Sequence, residues 1–176
     1  MKMITCTERQ HAVAILDIFN DAILTSTALY DYKPRHIDSM TTWFATKLTH
    51  NFPVIGLEDA QGVLLGFASY GTFRAWPAYK YSVEHSIYIH KDHRGKGLGK
   101  ILLNALVDAA RERGVHTLIG AIGAIDAANS GSIALHEKNG FSHTGTIKQA
   151  AFKFDRWLDL AFYQMILDTP LKPVAG

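Results

Sequence analysis

In YSVEHSIYI, residues 81 to 89, apolar and polar side chains alternate. The alternation predicts a strand with Ser82, Glu84, Ser86 and Tyr88 on one face and Val83, His85, Ile87 and Ile89 on the other. It stops at a basic turn, HKDHRGKGLG, after which KILLNALVDAARERG takes up helical spacing as far as Gly114. Upstream, MITCT predicts a short strand, and Glu8 to Leu24 a helix whose Ala12, Ile15, Leu16, Phe19, Ala22 and Ile23 form one apolar stripe. STALYDYKP reads as a loop. Asp38 or Ser39 then caps a second helix carrying Met40, Trp43, Phe44 and Leu48, with Trp43 and Phe44 in the core. VIGLE and VLLGFASYGTF flank the turn-prone DAQG and predict a hairpin.

Beyond Gly114, TLIGAI predicts a buried strand, and NSGSIALHEKN a helix opened by Asn129 and closed by a left-handed Gly140. FSHTGTIKQ and RWLDLAFYQMIL are the closing strands. This order of elements predicts an α/β or α+β layer built on a mixed sheet, without internal repeats. A single domain over residues 1–168 is expected, followed by a poorly ordered tail, TPLKPVAG.

Composition narrows the function classes. The 176 residues are 48% hydrophobic, enough for one sizeable core. Eighteen Lys and Arg against sixteen Asp and Glu leave a net charge of +2, too small a surplus for a nucleic-acid binder. The basic residues gather locally, around 91 to 100 and 148 to 156. No apolar run approaches the roughly 18 residues of a membrane span, and MKMITCTERQ lacks the apolar stretch of a signal peptide, so a cytosolic protein is expected. The single Cys6 can form no internal disulfide and reads as a small buried hydrophobe.

The basic turn holds Gly95, Gly97 and Gly99 at alternate positions and opens into a helix. Backbone N–H groups can converge there on an anion with no Cβ in the way, next to the positive end of a helix dipole, so phosphate is its natural guest. A triphosphate P-loop needs glycine five residues before its Gly-Lys pair and Ser or Thr after it, where this chain has Arg94 and Ile101. A dinucleotide fingerprint needs G-x-G-x-x-G, and the spacing here is G-x-G-x-G. His90 and His93 in the same turn have no carboxylate or Cys partner at ligand spacing beyond Asp92, so no metal site is expected.

What fits is R-x-x-G-x-G, Arg94 through Gly99, which resembles the coenzyme A pyrophosphate loop of the GNAT superfamily of N-acetyltransferases. NSGSIALHEKNGF, Asn129 to Phe141, is similar to the family segment in which Asn opens a helix beside the pantetheine arm and Gly-Phe ends it. VEHSIYI with RGKGLG, ALHEKNGF and FKFDRWLDLAFYQ resemble the phosphinothricin and methionine sulfoximine acetyltransferase branch. The resemblance implies a mixed, mostly antiparallel sheet of six to seven strands flanked by about four helices. It also implies acetyl-CoA as cosubstrate, a small amino acid as acceptor, and a homodimer. For the coenzyme it implies contacts from Ile87, Tyr88 and Ile89, from Arg94, Gly95, Lys96, Gly97, Leu98, Gly99 and Lys100, and from Asn129 and Ser132.

An amine is mostly ammonium at neutral pH, while attack on a thioester needs its lone pair, so a proton acceptor is required. Glu84, a carboxylate in a well-patterned central strand, is the candidate, and the resemblance places a base or water-relay Glu there too. Many relatives carry a helix Tyr that protonates the leaving thiolate. This chain has His136 in the matching L-H-E-K-x-G-F, so either His136 or another group takes that role.

FRAWPAYKY, Phe73 to Tyr81, offers Arg74 as a planar fork for carboxylate or phosphinate and Trp76 with Tyr79 as pocket walls. The alternative is a loop merely anchored by aromatic packing. Lys153 is a second candidate cation, in its own site or its neighbour's, and His85 and Ser86 flank Glu84 as further substrate candidates, although His85 also reads as a satisfied core histidine. Acetylation of a protein amine or a polyamine, or a catalytically silent coenzyme A-binding module, are the competing functions.

Overall fold

The computed structural model describes residues 1–123 and 129–175. Among the described residues seven strands form one sheet. In chain order they are β1 (Lys2–Thr5), β2 (Val54–Glu58), β3 (Leu64–Thr72), β4 (Ser82–Ile89), β5 (Thr117–Gly123), β6 (Ser142–Lys153) and β7 (Arg156–Ile166), and across the sheet they run β1-β2-β3-β4-β5-β7-β6. Four α-helices are found among the described residues: α1 (Glu8–Thr25), α2 (Asp38–Thr49), α3 (Leu98–Glu112) and α4 (Ser130–Lys138). The β4–β5 pair is parallel, while β1–β2, β2–β3, β5–β7 and β6–β7 are antiparallel. The expected mixed, mostly antiparallel sheet is therefore present.

The chain divides into two compact units, Met1–Tyr70 with Ser86–Leu106, and Gly71–His85 with residues 107 onward. In the first, Ile15, Leu16 and Phe19 of α1, Met40 and Phe44 of α2, and Val54, Leu64 and Phe67 of the hairpin form the core, with Cys6 buried among them as expected. Phe19 meets Trp43, Phe67 and Tyr88 edge-on at 5.7, 5.2 and 5.2 Å. The predicted stripe of α1 is buried except for half-buried Ala12, and His11 and Ile18 join it. His11 can be buried because its Nδ1 accepts from the Thr7 N–H and its Nε2 lies 3.1 Å from the Glu58 carboxylate.

The β2–β3 hairpin forms as read, its turn held by Asp59 Oδ1, which accepts from the N–H groups of Gln61 and Val63 at 2.9 Å. The start of α2 differs from expectation. Ile37 precedes the helix in an already helical conformation, so neither Asp38 nor Ser39 caps it. Asp38 sits instead 3.0 Å from His36 Nδ1, and the Ser39 hydroxyl donates to the His36 carbonyl. Trp43 is half-buried against the core, and Leu48 at the far end is exposed.

In the second unit, β4 runs beside β5 from Ser82↔Thr117 to His85↔Gly120. β5 pairs with β7 along its whole length, and β7 with β6. Strand β6 continues to Lys153, four residues beyond the expected Gln149, because a bulge bridges the break. Gln149 takes φ +52°, and the buried Asp159 carboxylate accepts from the Gln149 N–H at 2.9 Å and from Lys148 Nζ at 2.8 Å. Phe154 and Asp155, both left-handed, turn β6 into β7. Gly140 closes α4 at φ +87° as expected. Asn129 precedes α4 but makes no side-chain cap, and its Nδ2 donates instead to the Gly123 carbonyl at 2.9 Å. Past β7, the Tyr81 hydroxyl donates to the Val174 carbonyl and accepts from its N–H. Gly176, the last residue of the expected tail, lies outside the described residues.

Candidate active site

In the first unit β4 leads through a short 3-10 turn, Lys91–His93, into the glycine loop. Gly95 and Gly97 have φ +75° and +78°, and a Cβ built on either would meet nothing within 4 Å. Helix α3 begins at Leu98, two residues earlier than the pattern suggested, with the Lys100 N–H donating to the Gly97 carbonyl. The left-handed glycines thus leave an open hollow immediately before a helix start, where first-turn N–H groups lack intrahelical acceptors. That donor set suits a pyrophosphate, and a β-carbon at Gly97 would stand in the hollow.

Two of the loop's cations bond to the protein. Arg94 reaches Asp21 of α1 at 2.9 Å and the Ile89 carbonyl at 3.3 Å, so it ties the loop to its unit. Lys96 Nζ donates to the Asp92 carbonyl at 3.0 Å, and Lys100 is exposed. Leu98 is buried, Gly99, Ser86, Ile87 and Ile89 are half-buried, and the Tyr88 ring packs into the aromatic core.

The second unit carries the other candidates. Glu84 is half-buried on β4, and its carboxyl is pushed above the usual range by that burial, with the Arg74 guanidinium pulling the other way. Arg74 thus lies near enough to Glu84 for its charge to act on the carboxyl. Arg74 is exposed, lying 4.6 Å over the Phe73 ring with Nη1 donating to the Phe73 carbonyl. Tyr79 meets Phe73 edge-on at 5.9 Å and remains 43% exposed, and Trp76 is 68% exposed, so neither ring is a closed pocket wall in the single chain. Lys153, at the end of β6, is buried with Nζ 4.9 Å over the Phe154 ring.

His85 and His136 form a pair that the sequence did not suggest. Their Nε2 atoms are 2.8 Å apart, the rings lie 5.1 Å apart and nearly parallel, and both side chains are buried. His136 Nδ1 is 2.7 Å from the Ser132 carbonyl and must donate to it. A neutral His136 then offers a lone pair at Nε2, and His85 donates its Nε2–H to that lone pair. His85 Nδ1 is left as a buried acceptor without a partner, so the satisfied core histidine of the sequence reading is only half satisfied. Burial lowers the pKa of both rings, His85 to about 3, where His136 adds to the effect and the Ile119 backbone opposes it. With both nitrogens engaged and the ring neutral, His136 has no free proton to give a leaving group.

Gly120 makes room for the pair. Its Cβ would fall 3.0 Å from His85 Cε1 and 3.2 Å from His136 Nε2. A glycine inside the buried TLIGAI strand is the sequence signal for such a close approach. The Asp21 partner of Arg94 has no comparable signal. Among the described residues no group of three or more His, Cys, Asp or Glu could hold a metal ion, and no helix is long and apolar enough to cross a membrane.

Comparison with known proteins follows the same lines. The family model described as "Acetyltransferase (GNAT) family" matches residues 15–141. An L-methionine sulfoximine/L-methionine sulfone acetyltransferase of Pseudomonas aeruginosa is 42% identical over 154 residues, covering 88% of each chain. The L-amino acid N-acyltransferase MnaT of Escherichia coli is 39% identical over 92% of each. A solved phosphinothricin acetyltransferase from Sinorhizobium meliloti, in complex with AcCoA, superimposes with a TM-score of 0.91 at 33% identity, covering 99% of this chain and 94% of that one.

Proposed function

The chain belongs to the acetyltransferase (GNAT) family, and from that premise we propose that it acetylates the α-amino group of a small amino acid or analogue, such as methionine sulfoximine, methionine sulfone or phosphinothricin, by direct transfer from acetyl-CoA. The observation that carries the reaction is Glu84, a half-buried carboxylate whose affinity for a proton is raised by its surroundings. The relatives' named substrates support the acceptor class.

Bound acetyl-CoA supplies an activated acetyl thioester. The hollow at Gly95 and Gly97 holds its pyrophosphate on backbone N–H groups, with Arg94 bracing the loop through Asp21. Glu84 removes a proton from the substrate ammonium, which frees the lone pair for attack. Backbone N–H groups of β4 stabilise the oxyanion that forms. The proton still on the attacking nitrogen can pass to the departing sulfur, so the balance closes without an acid at His136.

Arg74 takes the substrate carboxylate, and Lys153 is assigned to the second oxygen-rich group. We also read the chain as a cytoplasmic homodimer. Phe152, Phe154 and Trp157 stand exposed around the β6–β7 turn beside an edge strand, an apolar patch that a second copy would cover. Sedimentation of a single species at the monomer mass would remove that assignment.

Glu84→Gln keeps size and hydrogen bonding but deletes basicity. It is expected to lower kcat/KM for an amino-acid substrate by about 100-fold or more, with acetyl-CoA affinity retained and the loss shrinking at high pH. Thiol release with a panel of methionine sulfoximine, methionine sulfone, phosphinothricin, spermidine and a peptide amine is the assay. A wild-type rate at neutral pH would move the base elsewhere.

A further inference from the structure

We propose that His85 and His136 act as paired positioning residues, a neutral imidazole couple that pins β4 to α4 and thereby sets where the Glu84 carboxylate stands. This rests on the reading of Glu84 as the base. His85 adjoins Glu84 in the strand, so a shift of His85 carries the Glu84 backbone with it. The rung His85↔Gly120 adjoins Glu84↔Ile119 in the pairing of β4 with β5. At that rung the histidine couple adds a cross-link from β4 through His136 Nδ1 to the Ser132 carbonyl in the first turn of α4.

The proton arrangement is what makes the couple directional. Only His136 Nδ1–H with His85 Nε2–H satisfies both short contacts when the rings are neutral. A second proton on His136 would require His85 to change tautomer, and a charge on either ring would sit in a site whose burial disfavours it. The surroundings hold that state. Phe141 packs on both rings at 5.2 and 5.1 Å, β5 presents the bare Gly120, and β7 brings Tyr163, 6.4 Å from His136, whose hydroxyl donates to Glu137 at 3.4 Å. Of the other charged groups on α4, Glu137 and Lys138 are exposed, and β4 contributes Glu84 on its opposite face. A slot needed only for packing would be filled by an apolar side chain. This one keeps two imidazoles and leaves an acceptor unpaired, which fits a cross-link that depends on hydrogen-bond direction.

The test pairs His136→Phe, which keeps a ring but removes the acceptor, with His136→Gln, whose side-chain oxygen can occupy the Nε2 position and accept from His85. His136→Phe is expected to lower kcat by about 10- to 100-fold, the scale of a misplaced catalytic group, and to shift the acidic limb of the kcat/KM pH profile. His136→Gln should recover most of both, and acetyl-CoA affinity by calorimetry should hold in each. Equal losses in the two variants would reduce the site to shape, and an unchanged kcat and limb in folded His136→Phe would overturn the proposal. Long-range nitrogen-15 NMR of the unaltered protein tests the couple independently of activity and of Glu84. It should show His136 protonated at Nδ1 and His85 at Nε2, and the opposite tautomers would overturn it. A wild-type rate in Glu84→Gln alongside those expected tautomers would instead fault the assignment of the base.

Discussion

Adding one methyl group at Gly120 probes the tightest point of the histidine couple. The new Cβ would lie 3.0 Å from His85 Cε1, 3.2 Å from His136 Nε2 and 3.3 Å from His85 Nε2, so at least one ring must yield by a few tenths of an ångström. Neither ring can retreat cheaply. Each is bound to the other at 2.8 Å, His136 is also tied to the Ser132 carbonyl, and Phe141 stands against both. Overpacking of this kind costs about 1–3 kcal/mol. Gly120 lies in a β-strand, a conformation that alanine accepts, and the loss of unfolded-state freedom returns about 0.4–1 kcal/mol. The net destabilisation centres near ~1.5 kcal/mol, which for a chain of this size lowers Tm by about 3–6 °C. Thermal melting followed by circular dichroism measures it. Gly131→Ala serves as the control, since a Cβ there meets nothing within 4 Å and α4 continues through it. It should be neutral or slightly stabilising. A Gly120→Ala protein as stable as the parent would mean that the two rings are not held where these distances put them.

Gly97→Ala places a Cβ in the open hollow and a non-glycine residue at φ +78°, so Kd for acetyl-CoA by calorimetry should rise by about 10-fold or more while Tm falls by only a few degrees. An unchanged Kd would remove the pyrophosphate from this loop. Arg74→Ala should raise KM for the amino-acid substrate by about 10- to 150-fold, with Arg74→Lys recovering only part because the fork is lost; equal KM values in steady-state assays would make the loop scaffolding. Acid should weaken the fold through His85. Its pKa falls from 6.5 to about 3 on folding, so the unfolded chain takes up that proton first. The contribution is complete above about pH 6.5 and is lost as pH falls towards 3, and melts across that window should steepen relative to His85→Gln. A parallel dependence in both proteins would mean that other groups set the acid limit.

The fold was legible where local sequence dictates backbone. The apolar stripe of α1, the DAQG hairpin, the left-handed Gly140 and the glycine loop each follow from periodicity or from conformations few residues can adopt, and each is found. The misses lie where a short-range preference meets a neighbour that decides otherwise. Asp38 has the chemistry of a cap, but Ile37 is already helical, and the carboxylate turns to His36. Strand β6 outran its pattern because Asp159, ten residues away, holds the bulge at Gln149.

The same distinction divides the site. A phosphate hollow is made of consecutive backbone groups, so its spacing survives in the sequence as R-x-x-G-x-G. The role of a side chain depends on what the fold brings to it. Arg94 reads as a coenzyme contact with no sign of Asp21, 73 positions away, and His136 as one candidate acid with no sign of His85, 51 positions away, at its Nε2. The alternation of β4 correctly turned His85 away from Glu84, yet alternation names a face and not a partner. The partner came through a glycine on the adjacent strand. Gly120 contributes no chemistry of its own, but without the space it leaves opposite His85, two imidazoles could not stand within hydrogen-bonding distance beside Glu84, the proposed base.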